Sequence, residues 1–221
     1  LSVEAVTSAF SWVYLIVVIA FFTWLFMAGQ WTKEERKRLI VIVVLFAGAA
    51  VFWSAFEQAA STLNLFAAQN TRNSIFGWTF PSSWFQSVNA LMIIIFAPVF
   101  AWIWISLGKR DPSSPAKFAF GLVSVGLGFV VMVGAAQASA NGVLVSPMWL
   151  VLTYLLHTIG ELSLSPVGLS SMTKLAPDRV KGMMMGVWFL AASVGNLIAG
   201  GVLRFYADFT LPQVFGAVAA F

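Results

Sequence analysis

Long apolar runs alternate with short polar clusters along the chain, and several approach or exceed the roughly 20 residues a helix needs to cross a bilayer. Strands of a membrane barrel would alternate apolar and polar positions over about 10 residues, and these runs do not. The pattern predicts an all-α, polytopic membrane protein. A first span is expected from about Phe10 to Gly29, followed by the charged hinge Lys33–Arg38. A second begins near Leu39, extends to about Ala68 and contains Trp53, Glu57 and Gln58. A loop from Gln69 to Ser83, with Arg72, Gly77 and Pro81 as turn material, leads to a third span, Trp84–Leu107, interrupted by Pro98. The fourth runs from Lys117 to about Ala136, the fifth from Pro147 to about Leu175, and the sixth from Gly182 to about Tyr206. A seventh starts at Leu211 and is cut short at Phe221, and the chain opens without Met, so it reads as a fragment of a larger protein.

The fifth run carries the sharpest signal. Glu161 lies near its middle, at a depth where a carboxylate costs about 2.5–3.5 kcal/mol and usually faces a cavity or a partner. Pro166 follows five residues later and is expected to kink or open the helix. A buried acid beside a helix break is how many transporters build a site near the bilayer midplane. A hydrogen-bonded Glu that only fixes helix packing is the competing reading.

Composition agrees with the pattern. Only 9% of residues are charged, against about 25% in soluble domains. The net charge of +4 does not point to nucleic acid, because the basic residues cluster in short loops. Alternate loops hold ten Lys and Arg (Lys33, Arg36, Lys37, Arg38, Lys109, Arg110, Lys117, Lys174, Arg179, Lys181) against two (Arg72, Arg204). The first set is therefore expected in the cytoplasm. With no cysteine, disulfides, thiolate metal sites and cysteine catalysis are excluded. One histidine and no acid pair at metal-ligand spacing assemble no enzyme site, and no cofactor or metal is expected. The fourth span carries Gly121, Gly126 and Gly128, and its Gly126-Leu127-Gly128 brushes a nucleotide fingerprint but lacks the strand, the third glycine and the soluble context. These glycines read as close-packing positions, as do Gly195 and Ala199.

Glu57 and Glu161 are the two acids inside spans, and no Lys or Arg lies deep in any span. Each acid must be protonated, meet a cation from elsewhere, or bind a cationic group of a substrate. Trp53 precedes Glu57 by four residues and shares its helix face, as a wall for a ligand or as packing. His157 stands at the same spacing from Glu161, as a proton relay or as a packing donor, and Ser165 lies on that face too. Asn89 can grip a peptide-like backbone or bond a neighbouring helix.

The blocks Phe52-Trp53-Ser54-Ala55-Phe56-Glu57-Gln58, Gln86-Ser87-Val88-Asn89, Ala97-Pro98-Val99-Phe100, Tyr154–Leu162 and Ser165-Pro166-Val167-Gly168-Leu169 resemble the proton-dependent oligopeptide transporter family. Thr173–Pro177 and Met185–Leu190 extend the likeness, in order from about Thr32 to Gly201. The resemblance implies the C-terminal six-helix bundle of a major-facilitator fold, residues 32–221, preceded by one extra helix, residues 1–31, of an inter-bundle insert. It also implies that the N-terminal six-helix bundle, with the cations for the two acids, is missing from this sequence. By resemblance Glu161 meets a peptide amino terminus or a lysine of the other bundle, and Glu57 takes part in proton binding. Asn89 contacts peptide, and Trp53, Ser165 and Trp188 line the cavity. Ala68 and Gln69 depart from the family pattern, standing where many members carry a charged pair.

The implied function is proton-coupled symport of di- and tripeptides across the cytoplasmic (inner) membrane by alternating access, with peptide, protons, lipid and the missing bundle as partners. The alternatives are another proton-coupled major-facilitator carrier, for nitrate or a drug, and a non-transporting helical scaffold. Nitrate finds no cation in this half, and a drug pocket does not require both acids.

Overall fold

A computed structural model describes residues 3–205 and 208–221, with side chains described for residues 8–203 and 208–221. The chain forms α1 (Val3–Ala28), α2 (Lys33–Phe56), α3 (Thr62–Asn70), α4 (Phe85–Leu107), α5 (Ser114–Ala138), α6 (Met148–Leu175), α7 (Met184–Phe205) and α8 (Leu211–Ala220). Among the described residues, six segments are long and apolar enough to span a membrane, and α8 is a shorter apolar helix. The all-α, multi-span expectation holds, with one small addition. The loop after α3 closes a two-residue hairpin, β1 (Ser74–Ile75) against β2 (Trp78–Thr79). Tyr206, the expected end of the sixth span, lies outside the described residues, as do the side chains of Glu4 and Arg204.

The expected charged hinge is instead the first turn of α2. Thr32 is its N-cap: its hydroxyl accepts from the Glu35 N–H at 3.2 Å, and Glu35 Oε2 accepts from the Thr32 N–H at 2.8 Å. This reciprocal cap satisfies two backbone donors, so the helix can begin six residues before Leu39. On the same end of the bundle, the Trp31 indole donates to the Leu25 carbonyl at 2.7 Å, and the Arg179 guanidinium lies over its ring at 5.2 Å. At the other end, the loop after α3 meets the loop before α6 through an isolated bridge, Thr71 to Val145. The basic loops and the basic-poor loops therefore lie at opposite ends, as the charge count requires.

The predicted helix breaks fall elsewhere. Pro98 lies inside α4 and Pro166 inside α6, and both helices continue through them. A proline removes one donor, and the other helical hydrogen bonds on either side keep each helix continuous. The second span is the one that breaks. After Phe56 the chain tightens into a 3-10 segment, Glu57–Ala60, and turns at Ser61 before α3 resumes. The fully buried Gln58 side chain supports this turn: its amide nitrogen donates to the Ser54 carbonyl at 3.1 Å, and its oxygen accepts from Thr62 Oγ1 at 2.9 Å. Such bonds are what permit irregular backbone at membrane depth.

Small residues set how closely the helices approach. A Cβ on Gly121 would lie 2.8 Å from the Gly160 carbonyl oxygen, and one on Gly160 would lie 2.8 Å from that of Gly121, so α5 and α6 touch backbone to backbone. At the α2–α7 crossing, a Cβ on Gly195 would meet the Ser54 nitrogen at 2.8 Å and the Ala50 oxygen at 2.9 Å. Backbone cannot step aside as a side chain can. Gly195→Ala should therefore cost about 1–3 kcal/mol through overpacking, seen as a lower melting temperature of the purified protein. Gly200→Ala, with nothing within 4 Å, should be neutral. Equal melting temperatures for the two variants would refute this account of the crossing.

Candidate functional site

The two intramembrane acids come from different helices and lie within electrostatic range of each other. Glu57 caps α2, and its N–H still donates to the Trp53 carbonyl. The expected one-turn stacking of Trp53 and Glu57 therefore survives right up to the break. Glu161 lies in the unbroken middle of α6. Both are partly exposed, and their carboxylates are close enough for the charge of Glu57 to act on Glu161. Two like charges so placed in an apolar span oppose each other, so protonation of either one relieves the other. No salt bridge among the described residues includes either acid; the ion pairs found are Lys37–Glu34, Lys117–Asp111 and Lys181–Asp178.

Glu161 is held by an amide from a third helix, and Glu57 has an amide on α7 in its neighbourhood. Asn89 Nδ2 of α4 donates to Glu161 Oε2 at 3.2 Å and to Thr158 Oγ1 at 3.0 Å. Thr158 in turn donates to the Tyr154 carbonyl at 2.8 Å. Asn89 thus orients the acid and ties α4 to α6 in this state. On α7, Asn196 is near enough to the Glu57 carboxylate to act on it electrostatically. Among the residues of α4 only Phe85 is buried.

The other expected residues are placed as follows. Trp53 is half-buried, stacks edge-on against Phe52 and Phe56, and keeps its indole nitrogen covered and without a hydrogen-bond partner. Ser165, one turn beyond Glu161, has a covered hydroxyl with no partner. Trp188 is 5% exposed and seated against α6, where a Cβ on Gly168 would collide with its ring. It forms the α6–α7 seam, with little surface left to face a cavity here. His157 is fully buried among Phe56, Phe129 and Tyr154, and its imidazole presses on Gly128. It makes no hydrogen bond to Glu161, so of its two readings the structure places it in packing.

Asn196 and Thr158 went unread in the sequence. Asn196 is a polar residue in the apolar sixth span, and Thr158 precedes Glu161 by three residues, a spacing that shares a face as well as four does. Those two signals were present. The partner each residue chooses was not.

Over residues 5–218 the chain matches the POT family (PTR2). It is 50% identical over 194 residues to the peptide transporter YePEPT of Yersinia enterocolitica subsp. palearctica, covering 85% of this chain and 38% of that protein. It is 41% identical over 184 residues to the dipeptide and tripeptide permease A of Chromobacterium violaceum, covering 80% of this chain and 37% of the permease. Its fold superposes on a crystal structure of peptide transporter POT in complex with sulfate with a TM-score of 0.94 at 40% identity, over 100% of this chain and 44% of that one. The chain thus spans about two-fifths of the length of these proteins.

Proposed function

The chain belongs to the POT family, and on that premise we propose that it forms the C-terminal half of a proton-coupled symporter of di- and tripeptides in the cytoplasmic membrane. In this reading residues 1–31 are the extra helix of an inter-bundle insert, residues 32–221 are the C-terminal bundle, and an N-terminal six-helix bundle faces Glu57 and Glu161. The observation that carries the reading is the pair of carboxylates from α2 and α6, Glu161 held by the Asn89 amide and neither acid paired with a cation among the described residues. A peptide zwitterion has an amine and a carboxylate at a limited set of spacings. Glu161 binds the amine, and cations of the other bundle bind the carboxylate. Glu57 takes and releases the coupled proton. When either acid is protonated, a charge that holds the two bundles together is lost and the balance between access states shifts.

Asn89 orients Glu161 and contacts the bound peptide, while Trp53 and Ser165 shape the pocket around its side chains and Trp188 backs it from within the α6–α7 seam. The reaction is transport, with no bond made or broken and no cofactor. The test is uptake of a labelled dipeptide by the full-length protein in liposomes. Uptake should become concentrative only with an inward proton gradient, and unlabelled di- and tripeptides should compete while free amino acids do not. Concentrative uptake that ignores the gradient would sink proton coupling, and competition by nitrate in place of peptides would sink the substrate.

A further inference from the structure

The carboxylate assigned to proton transfer stands on an irregular segment, and the adjacent side chain does most to hold that segment in place. Gln58 is 0% exposed. Its amide nitrogen donates to the carbonyls of Ser54, at 3.1 Å, and Ala199, at 3.4 Å; its oxygen accepts from Ser61 Oγ, at 3.2 Å, and Thr62 Oγ1, at 2.9 Å. One buried side chain therefore joins the last turn of α2, the turn at Ser61, the start of α3 and the backbone of α7. Ala199 lies three residues after Asn196, the α7 group near the Glu57 carboxylate. The same turn of α7 thus grips Gln58 by its backbone and brings Asn196 to the neighbourhood of Glu57. From the opposite side, the Tyr154 hydroxyl of α6 reaches the Ala59 carbonyl at 3.5 Å. Filling space does not require an amide here. A buried amide is costly unless its hydrogen bonds are met, and an unbranched apolar side chain would occupy a similar volume.

We propose that Gln58 is a positioning residue for proton transfer: it seats the Glu57–Ala60 segment on α7, so that the Glu57 carboxylate is presented between Asn196 and Glu161. The proposal rests on the reading of Glu57 as the proton-binding acid. The ionisable groups facing that segment are Glu161, Tyr154 and His157, all from α6; α3, the last turn of α2 and residues 184–203 of α7 bring none.

The test uses the full-length transporter in liposomes. Gln58→Met keeps side-chain length and removes every hydrogen bond. It should lower gradient-driven peptide uptake about tenfold or more and move the pH of half-maximal uptake by about half a unit or more. Peptide counterflow without a gradient should stay within about threefold of wild type. A structural role alone would lower both activities together and leave the pH midpoint where it was, and that result overturns the proposal. Should Gln58→Met not survive purification, the double variant Ser61→Ala, Thr62→Val decides. It keeps Gln58 and removes both donors to its oxygen. A smaller change with the same split between uptake and counterflow supports the proposal; wild-type behaviour overturns it. Glu57→Gln, measured alongside, separates the two claims. Intact gradient-driven uptake in that variant refutes the role of Glu57 itself. Loss there with normal uptake in Gln58→Met refutes only the role of Gln58.

Discussion

Glu57→Gln is expected to abolish concentrative, gradient-driven peptide uptake, by about tenfold or more, while peptide binding and part of the exchange across the membrane survive. The glutamine has the shape of the protonated acid and cannot release a proton. The Gln58 hydrogen bonds do not involve the exchanged group, so the break in α2 has no reason to collapse. Glutamine also removes the like charge that acts on Glu161. Amine binding there should therefore persist. A Glu that served packing alone would behave differently: its loss would lower stability and scale all activities together. The measurement is uptake into liposomes with and without an imposed pH gradient, beside binding and melting temperature of the same purified variant. A well-folded Glu57→Gln protein that still accumulates peptide against its gradient would move the essential proton to Glu161 or to the other bundle.

Glu161→Gln should weaken peptides with a free amino terminus much more than amino-blocked peptides of the same sequence. A hydrogen bond to a charged group contributes about 1.5–3 kcal/mol, which is roughly 10- to 150-fold in affinity. The fold is expected to tolerate the change, because the Asn89 amide can donate to a glutamine oxygen as it does to Oε2, and Asn89 keeps its second bond to Thr158. Blocked peptides supply the control for general damage, since they never had the amine. Affinities for both ligand types can be read by competition against one labelled peptide. Equal losses for both would remove Glu161 from amine recognition and leave it as a tie between α4 and α6.

The prolines mislead because a missing N–H is a local signal, whereas whether a helix opens depends on the neighbours packed around it. Pro166 announces a break beside Glu161, yet α6 passes through it. No glycine or proline announces the break that does occur, at Glu57. Its support includes the carbonyl of Ala199, 141 residues from Gln58 in the chain. Helical spacing is equally indifferent between Thr158 and His157, three and four residues before Glu161. One joins the polar site and the other is caged by aromatic rings.

By itself the sequence determined the number and order of the spans, the separation of basic from basic-poor loops to opposite ends, and the identity of the two intramembrane acids. Each follows from short-range properties: a span is a run of apolar residues long enough for the bilayer, and a carboxylate within it is costly wherever it faces. Tertiary structure alone decided which side of each helix is packed, where the second span breaks, and which amide holds Glu161. In lipid both sides of a helix are apolar, so periodicity does not separate the packed face from the greasy one. The partners that settle the question stand on other helices, Asn89 for Glu161 across 72 residues of chain and Asn196 of α7 near Glu57, the latter at a crossing where Gly195 lets the α2 and α7 backbones approach closely.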